Sequence, residues 1–600
     1  MFARRLTVFT LQHLLLPGAI FGAPADLYAR IGPGVRAKTA TRRLELAKGG
    51  AVSFDTYFNT LSIAGLKRST LVDSVFLQLH GVGRITLCAT VLEPCGTRTK
   101  LWAQDYDLAQ NMLLEVPWAA LGNGLLYCTL DALEDGVQLH GGRFATATRP
   151  APQTRLGIVI THYNRQTQVV PAIARLRAEL LDDPDYRDCI ELVVVDNSRN
   201  LTADDAQGAI LLPNENYGGS GGFARGLLYL RESGRFTHCL FMDDDASCES
   251  ESIRRAFALQ RFAKDPALAI SGALLEEQTP YRLFEQGALF RNGSVVPRYH
   301  GYDVREPAAL LELELQDSRV DYGAWWFFCF RIDQARAFPF PFFVRGDDIL
   351  FSLINPFSVA TFNGIACWGE SFQIKENPST RYLGVRATLC ILLMLEHNSR
   401  LRALRIMLRW FLAALLSCNY ASARAVCMAI RDTAQGPQFW LDNLDMRAIR
   451  AALAPLDAQE RMLPLEHVQN PFDREADVQT GPESRLHRLW RLLTLNGLLL
   501  PAACIGQCFV RQDKGFRAVL RQIFRRRGVL YVHEPTQLAY LAVHDRRAAF
   551  GVIRQFLTCA AVFLWRTPRL ERAYSQARHT MTTEQFWRDL YSKNTDKGPV

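Results

Sequence analysis

An acidic triplet follows directly after a run of apolar residues in the middle third of the chain. Asp243, Asp244 and Asp245 come after Leu-Phe-Met, and three adjacent carboxylates repel one another strongly unless a cation neutralises them. In an extended chain the side chains of Asp243 and Asp245 point to the same side, so that they can hold one hard divalent cation. The triplet therefore predicts a metal site, although a solvated acidic turn or a helix N-cap would explain an isolated triplet.

A glycine-rich segment precedes the triplet by about 20 residues and opens a helical pattern. Its glycines allow the backbone to approach a ligand closely, and the start of the helix supplies free N–H donors. The spacing fits neither a Walker A loop nor the G-x-G-x-x-G fingerprint, and taken alone it could be a tight turn. Together with the triplet it predicts one diphosphate-and-metal site. The residues expected to contact the ligand here are Asn216, Gly218, Gly219, Ser220 and Gly221.

Polar residues also follow two other apolar runs. Thr161, Asn164 and Arg165 come at the end of the first run, and Asp196 comes at the end of the second. We expect these groups to face the base and ribose of a nucleotide.

Two further pairs of residues complete the candidate site. Trp325 and Trp326 follow a glycine, and they either pack in the core or present aromatic faces to a sugar. Asp347 and Asp348 lie two residues after Arg345 and could supply a general base, with a pKa set by burial and neighbouring charges. Alternatively, these aspartates could simply cap the start of a helix, without a catalytic role.

The elements that must position these residues form three zones. Apolar runs at 156–161, 192–196, 209–212 and 238–242 alternate with helical patterns at 169–181 and 223–232, which predicts a mostly parallel sheet with helices on both faces. Ligands in such folds bind beyond the carboxyl ends of the strands. The first 150 residues show short alternating runs, such as 51–58, and predict a β-sandwich. From residue 380 the pattern is helical and rich in arginine. The chain is thus predicted to be multidomain, with a β-sandwich at 1–150, an α/β Rossmann-like domain at 154–378 and an α-helical domain at 380–600.

Composition limits the classes of function. Of 600 residues, 48% are hydrophobic and 22% charged, which excludes a disordered or collagenous chain. The net charge of +9 is too dilute to indicate nucleic acid but is compatible with an anionic lipid surface or a phosphorylated ligand. The 14 cysteines contain no CxxC pair and suit a reducing cytosol.

Two segments imitate targeting or membrane signals. Arg4 and Arg5 precede an apolar stretch that resembles a signal peptide, but Gln12 and His13 interrupt it, so we do not expect export. The charge-free segment 492–510 approaches membrane-spanning length but contains polar residues and a proline, which favours a buried or interfacial helix.

The ordered set of motifs resembles the inverting nucleotide-sugar glycosyltransferases of the GT-A fold, and more narrowly the bacterial galactofuranosyltransferases that build cell-wall galactan. The resemblance is carried by Asn216-Tyr-Gly-Gly-Ser-Gly-Gly-Phe, Phe241-Met-Asp-Asp-Asp, Trp325-Trp326 and Asp347-Asp348, and it extends to residues 52–59 and 420–437. It implies an enzyme that transfers galactofuranose from UDP-galactofuranose to a glycan or lipid-linked glycan acceptor, in the synthesis of cell-wall polysaccharide or lipopolysaccharide.

The resemblance also implies roles for particular residues. Asp243 and Asp245 would bind Mn²⁺ or Mg²⁺, and Asp244 would contact the donor. Asp348 would be the base, while Asp347, Trp325 and Trp326 would bind the acceptor. The family commonly has a histidine ligand where this chain has Gly369, so we expect Glu370 or a water to replace it.

Other interpretations remain open on sequence alone. A transferase of the same fold with another nucleotide-sugar donor fits the motifs, and the loss of the histidine motivates a catalytically inert, glycan-binding member. The resemblance places the protein in the cytoplasm. The arginine-rich segment 521–527, beside apolar helices, suggests peripheral contact with the inner face of the membrane, and a homo-oligomer is possible.

Overall fold

The structure is a computed structural model that describes residues 7–19, 21–315, 320–472, 474–476, 483–515 and 517–595. Arg4 and Arg5 of the signal-like pattern lie outside the described residues.

The described part of the first 150 residues folds into two antiparallel sheets. One has the strand order β10-β7-β12-β4-β3 with β1 on β12, and the other has the order β2-β5-β11-β8-β9 with β6 on β11. Leu77, Leu87 and Leu126 from both sheets meet in one core. The run 51–58 is a strand only as far as Ser53, because its later residues turn inward to pack against the central region. The elements are β1 (Phe9–His13), β2 (Arg30–Ile31), β3 (Val35–Lys38), β4 (Arg43–Leu46), β5 (Ala51–Ser53), β6 (Leu61–Ser62), α1 (Ile63–Ser69), β7 (Val75–Val82), β8 (Arg84–Leu92), β9 (Arg98–Asp107), β10 (Leu114–Val116), β11 (Leu125–Ala132) and β12 (Val137–Thr146).

The central region is built on a seven-stranded sheet with the order β15-β14-β13-β16-β23-β18-β24. Strands β13 to β16 are parallel, as the buried apolar runs predict, whereas β23 lies antiparallel between β16 and β18. The strands of the whole central region, seven of which form this sheet, are β13 (Leu156–His162), β14 (Ile190–Asp196), β15 (Ile210–Pro213), β16 (His238–Asp243), β17 (Ser247–Cys248), β18 (Leu268–Ser271), β19 (Ala273–Glu276), β20 (Thr279–Glu285), β21 (Ala288–Arg291), β22 (Ser294–Pro297), β23 (Phe328–Arg331), β24 (Ser358–Ala360) and β25 (Ala366–Gly369). Its helices are α2 (Gln166–Leu176), α3 (Ala203–Ala206), α4 (Gly218–Ser233), α5 (Ser250–Arg261), α6 (Pro307–Leu315), α7 (Asp347–Ile354) and α8 (Phe372–Lys375).

The last third of the chain contains helices and, against expectation, a four-stranded sheet with the order β26-β29-β28-β27. Its helices are α9 (Pro378–Leu395), α10 (Arg400–Leu416), α11 (Tyr420–Thr433), α12 (Gln438–Leu441), α13 (Arg447–Asp457), α14 (Arg485–Leu493), α15 (Leu520–Ile523), α16 (Arg546–Met581) and α17 (Glu584–Thr595). Its strands are β26 (Leu463–Pro464), β27 (Gly506–Asp513), β28 (Arg526–His533) and β29 (Leu538–Val543).

One sequence prediction in this region is wrong. Segment 492–510 is not one helix: α14 ends at Leu493, and a turn through Gly497 and Pro501 leads into β27, because glycine and proline disfavour a continuous helix. The arginine-rich segment 521–527 spans the end of α15 and the start of β28, and its contact with a membrane surface stays a prediction.

Helix α16 is the one helix in the described residues that is long and apolar enough to cross a membrane, by length and composition only. It has 36 residues, and 33% of its most apolar window is buried inside the protein. Leu557 and Trp565 on its surface are 62% and 72% exposed.

Candidate active site

The register of the central sheet brings the predicted polar residues to one edge. Thr161 lies beside Asp243 across the parallel pair β13 and β16, and His162 lies beside Asp196 across β13 and β14. The carboxyl ends of three neighbouring strands therefore supply the side chains of the candidate site.

Asp244, the middle residue of the triplet, is held entirely by protein groups. Arg165 Nη1 donates to its Oδ1 at 2.8 Å, and the Tyr163 N–H donates to its Oδ2 at 3.1 Å. His162, which is fully buried, lies 3.3 Å from the same Oδ2. Burial alone would raise the pKa of Asp244, but the nearby His162 ring and the hydrogen bond and charge of Arg165 outweigh it and hold the pKa below its usual value. The expectation that Asp244 contacts the donor is thus corrected: it anchors the triplet to the end of β13.

Asp243 and Asp245 have a different environment. Burial, followed by the charges of Asp245, Asp244 and Asp347, raises the pKa of Asp243 well above its usual range, with Lys375 acting in the opposite direction. Asp245 Oδ2 lies 3.0 Å from both Arg165 Nη1 and Lys375 Nζ. Crowded oxygen ligands of this kind fit a hard divalent cation, and the Lys375 ammonium supplies positive charge in the same place.

Glu370 does not complete a three-carboxylate site. Its side chain is 48% exposed, and Lys375 Nζ lies 3.5 Å from its Oε2, between Glu370 and Asp245. Within the part of the chain that the structure describes, no three potential ligands are grouped closely enough to hold a metal ion. Asp243 and Asp245 are the two carboxylates that lie together at the end of β16 and fit a cation, and the expectation that Glu370 takes the place of the missing histidine stays a prediction.

The glycine-rich segment is the first turn of α4 rather than an open loop. Its N–H groups are mostly occupied: Gly218 donates to Asn216 Oδ1 at 3.0 Å, Ser220 to the Phe343 carbonyl at 3.0 Å and Gly221 to the Tyr217 carbonyl at 3.2 Å. The N–H groups of Gly218, Ser220 and Gly221 are therefore already bonded within the protein, and the diphosphate contacts expected of Asn216 and Gly219 stay predictions.

Close packing explains the glycines instead. A Cβ on Gly222 would lie 2.2 Å from Thr161 Cγ2, and a Cβ on Gly218, where φ is +67°, would lie 2.1 Å from the Phe343 carbonyl oxygen. At Gly219 the nearest atom is Asp347 Oδ2 at 3.5 Å. The glycines thus allow α4 to approach β13 and the loop before α7 closely.

Asp196 organises its own loop. Its buried carboxylate accepts hydrogen bonds from the N–H groups of Ser198, Arg199, Asn200 and Leu201 at 2.8–2.9 Å. Both oxygens are occupied, which contradicts the expected contact with a ribose. Asn164 likewise bonds to this loop, through its N–H to Ser198 Oγ at 2.7 Å.

Thr161 stays a candidate for ligand contact. Its hydroxyl has no hydrogen-bond partner among the described residues, although it lies at the strand end beside Asp243.

The aspartate pair begins α7, after Gly346 with φ of +85°. Asp347 is buried, and its Oδ2 accepts a hydrogen bond from Ser220 Oγ at 2.9 Å. Burial raises the pKa of Asp347. When it is ionised, its charge adds to the burial and the neighbouring carboxylates that raise the pKa of Asp243. The hydrogen bond from Ser220 occupies one oxygen of Asp347, which is not among the described residues that line the cavity below, and its binding of acceptor hydroxyls stays a prediction.

Asp348 faces a cavity of about 430 Å³. Burial, and then the charge of Asp347, raise the pKa of Asp348. The volume is typical of small-ligand sites. A half-buried carboxylate with a raised pKa in such a cavity has the properties of a general base.

The two tryptophans have different environments. Trp326 lines the cavity, and its Nε1 donates to the Gly272 carbonyl at 2.9 Å. Trp325 packs edge-on against Phe223, Phe241 and Phe351 in the core, and it is not among the described residues that line the cavity. Trp325 thus lies in the aromatic core, and the acceptor contact expected of it stays a prediction.

Sequence reasoning missed two residues beside Asp348. Glu285, at the end of β20, is 2% exposed, and burial, assisted by the charge of Asp348, raises its pKa to about 8. Tyr322 lines the same cavity, and burial, together with the charges of Glu285 and Asp348, raises its pKa well above the usual value. Only the pattern of two polar residues after an apolar run, Glu285-Gln286 after Leu283-Phe284, could have drawn attention to Glu285.

Comparisons with known proteins give the class first. No protein-family model matches the chain. The curated sequences that match this chain are glycosyltransferases, and the chain is homologous to them. Within the class it is similar to galactofuranosyltransferases, which confirms the resemblance seen in the motifs. Galactofuranosyltransferase GlfT2 of Mycobacterium tuberculosis is 27% identical over 449 residues, 67% of this chain and 68% of the relative. GlfT2 of Mycolicibacterium smegmatis is 26% identical over 377 residues, 57% of each chain.

Solved structures resemble parts of the chain. GalNAc-T7 with UDP, GalNAc and Mn²⁺ covers 43% of this chain and 51% of its own, with 10% identity and a TM-score of 0.31. Glucosyl-3-phosphoglycerate synthase of Mycobacterium tuberculosis with Mn²⁺, UDP and phosphoglyceric acid covers 40% and 78%, with 14% identity and a TM-score of 0.26. At these scores the likeness is partial.

Proposed function

We propose that the chain is an inverting, metal-dependent galactofuranosyltransferase. It transfers galactofuranose from UDP-galactofuranose to a hydroxyl of a glycan or lipid-linked glycan during the synthesis of a cell-surface polysaccharide. The observation that supports the proposal is the electrostatic connection between the cavity and the acidic triplet: beyond the effect of burial, the charge of Asp347 raises the pKa of Asp348 in the cavity and also that of Asp243 at the end of β16. The relatives named galactofuranosyltransferase support the choice of sugar.

The acceptor side of the reaction is assigned to the cavity. Asp348 removes the proton of the acceptor hydroxyl, and that oxygen forms the bond to the anomeric carbon as the bond to UDP breaks on the opposite face. Trp326 offers an aromatic face to the acceptor sugar. Glu285 keeps its proton near neutral pH, because its pKa is about 8, and so it does not compete with Asp348 as a base.

The donor side is assigned to the triplet. Asp243 and Asp245 would hold Mn²⁺ or Mg²⁺, which would supply positive charge to the leaving diphosphate. Arg165 and Lys375, both 3.0 Å from Asp245, supply further positive charge at this place. Thr161 remains our candidate for a direct contact with the nucleotide.

Turnover with a panel of UDP- and dTDP-sugars, followed by product analysis, tests the proposal. Asp348→Asn should reduce kcat by about 100-fold or more while UDP affinity in Mn²⁺, measured by calorimetry, stays near wild type. Asp243→Asn should weaken that affinity instead. Asp188→Asn, a side chain that is 85% exposed, is the matched control and should change neither. Turnover by Asp348→Asn close to that of the control would show that another group is the base.

A catalytically inert, glycan-binding protein is the second candidate function. It is favoured by Gly369 in place of a ligand and by the Lys375 contacts of Asp245 and Glu370. Release of UDP by the wild type with any donor and a disaccharide acceptor would exclude it.

Peripheral contact with the inner face of the membrane is part of the same proposal, and α14 supports it. Leu486 and Leu493 on this helix are 81% and 68% exposed, and Arg485 and Arg488 accompany them, whereas Arg491 is paired with Glu483. Apolar side chains with flanking arginines suit an anionic lipid surface. Sedimentation with phosphatidylglycerol vesicles tests this contact, and light scattering tests whether a second copy covers the helix instead.

A further inference from the structure

Two basic side chains meet at one oxygen of the acidic triplet. Arg165 Nη1 and Lys375 Nζ both lie 3.0 Å from Asp245 Oδ2. A divalent cation held by Asp243 and Asp245 would lie close to both of these groups, and positive charges at such short distances repel one another. Binding of a cation should therefore displace one of the two basic side chains.

Arg165 is the more firmly held of the two. Its Nη1 also donates to Asp244 Oδ1 at 2.8 Å, and Asp244 is 8% exposed. Departure of the guanidinium group would leave a buried carboxylate without its arginine partner, which is costly in free energy. We therefore expect Arg165 to stay in place.

Lys375 is held by weaker contacts. Besides the contact with Asp245, its Nζ lies 3.5 Å from Glu370 Oε2, and the side chain of Glu370 is 48% exposed. The side chain of Lys375 is itself 29% exposed, and ion pairs near the surface contribute little stability. Its ammonium group can therefore leave Asp245 at a low cost in free energy.

The backbone at Lys375 is fixed, whereas its side chain can turn. Lys375 is the last residue of α8, and Glu376 directly after it pairs with Arg381 at 2.7 Å. Asn377 then caps α9 by accepting a hydrogen bond from the Thr380 N–H. Because lysine has a flexible four-carbon stem and three donors, its ammonium group can reach a neighbouring anion without a shift of the main chain.

A further acidic residue lies near this ammonium group. The N–H of Glu277 donates to the Gly369 carbonyl at 3.1 Å. Burial, followed by the charges of Glu370 and Asp245, raises the pKa of Glu277, and the charge of Lys375 acts in the opposite direction. A bound diphosphate would add negative charge to this group of carboxylates, which favours a divalent cation and the ammonium group together beside it.

From these contacts we infer that Lys375 is a diphosphate-binding residue that exchanges one partner for another. Without ligand its ammonium group neutralises Asp245, and when a divalent cation binds Asp243 and Asp245 it moves to an oxygen of the donor diphosphate. The inference rests on the donor site of the proposed function and deepens it. It predicts that the cation and the diphosphate bind cooperatively, and that Lys375 contributes to this coupling.

Electron paramagnetic resonance of Mn²⁺ tests the inference without any turnover. Free Mn²⁺ is measured for the wild type and for Lys375→Met, with and without UDP, and Mn²⁺ bound by UDP in protein-free solution is subtracted. Without UDP, Lys375→Met should bind Mn²⁺ about 10-fold more tightly than the wild type, because the competing charge is gone. The factor by which UDP raises Mn²⁺ affinity should be about 10-fold smaller in the variant, because the ammonium group no longer has to be displaced.

Two other variants serve as controls. Lys38→Met, whose side chain is 51% exposed on β3, is the matched control and should behave as the wild type does. Lys375→Arg keeps the positive charge and should keep most of the coupling. Equal Mn²⁺ affinities of the wild type and Lys375→Met without UDP, or an equal effect of UDP on both, would overturn the inference. Absence of Mn²⁺ binding to either protein in the presence of UDP would overturn it as well.

Turnover assays separate this inference from the proposed function. If no donor of the panel supports transfer while Mn²⁺ and UDP bind as described, the proposed transfer fails and the exchange at Lys375 is supported. If transfer occurs but Lys375→Met binds Mn²⁺ and UDP as the wild type does, the inference fails and the proposed transfer is supported.

Discussion

Replacing Glu285 by glutamine should stabilise the protein in a way that depends on pH. Glutamine has nearly the same shape as a protonated glutamate, and it cannot ionise. Glu285 is 2% exposed, and its pKa rises from 4.5 to about 8 on folding because of burial and the charge of Asp348. The buried carboxyl therefore costs no stability below its unfolded pKa, and an increasing amount as the pH rises toward its folded pKa.

The size of the effect follows from the difference between the folded and unfolded pKa values of Glu285. A pKa that is higher by one in the folded state corresponds to about 1.4 kcal/mol, so that a rise from 4.5 to about 8 corresponds to about 5 kcal/mol once the pH exceeds the folded pKa. At about pH 5 the cost is below about 1 kcal/mol. The gain in unfolding free energy from Glu285→Gln should consequently grow by about 4 kcal/mol between about pH 5 and pH 8.5. Burial of the uncharged amide lowers this gain by the same amount at both pH values, so it does not affect the difference.

Urea unfolding of the variant and the wild type across this pH range measures the effect, with tryptophan fluorescence as the signal. Glu466→Gln is the control, because its side chain is 82% exposed and the substitution should leave the pH dependence unchanged. A stability difference that stays constant with pH would refute the reasoning, since it would mean that Glu285 is equally ionised in the folded and unfolded states.

Two other substitutions test the packing of the site. Gly222→Ala should lower the free energy of unfolding by about 1–3 kcal/mol, because the new Cβ would lie 2.2 Å from Thr161 Cγ2. Gly219→Ala is the control and should cost much less, since the nearest atom to its Cβ is at 3.5 Å. Equal shifts in the melting temperatures of the two variants would contradict this. Trp325→Leu should reduce stability without changing the acceptor KM, whereas Trp326→Leu should raise that KM; a raised KM in the Trp325 variant alone would reverse the assignment.

The sequence predicts the central part of the fold because buried parallel strands read as continuous apolar runs. The runs that end at Thr161, Asp196 and Asp243 are strands, and their carboxyl ends meet at one edge of the sheet. It does not predict which polar groups at that edge stay available, since Asp196 and Asp244 bind backbone and side-chain donors from loops that only the tertiary structure brings near. Similarly, no sequence signal separates Trp325 from Trp326.

The sheet near the C-terminal end was missed for another reason. Strands β28 and β29 are short apolar runs, and such runs cannot be distinguished from buried helical segments by periodicity alone. Neighbouring arginine-rich helices favoured the wrong choice. Glu285 and the arginines of the cavity lie far apart along the chain, so that only the folded structure places them around Asp348.

Asp347 connects the two acidic parts of the site through its charge rather than through a ligand. The hydrogen bond from Ser220 lowers the pKa of Asp347 against the effect of burial, and so favours its ionised form. An ionised Asp347 raises the pKa of both Asp243 and Asp348. A general base works best when its pKa is close to the operating pH, and an isolated aspartate is too acidic for this. Because burial and the charge of Asp347 act in the same direction, Asp348 can be a stronger base than an exposed aspartate.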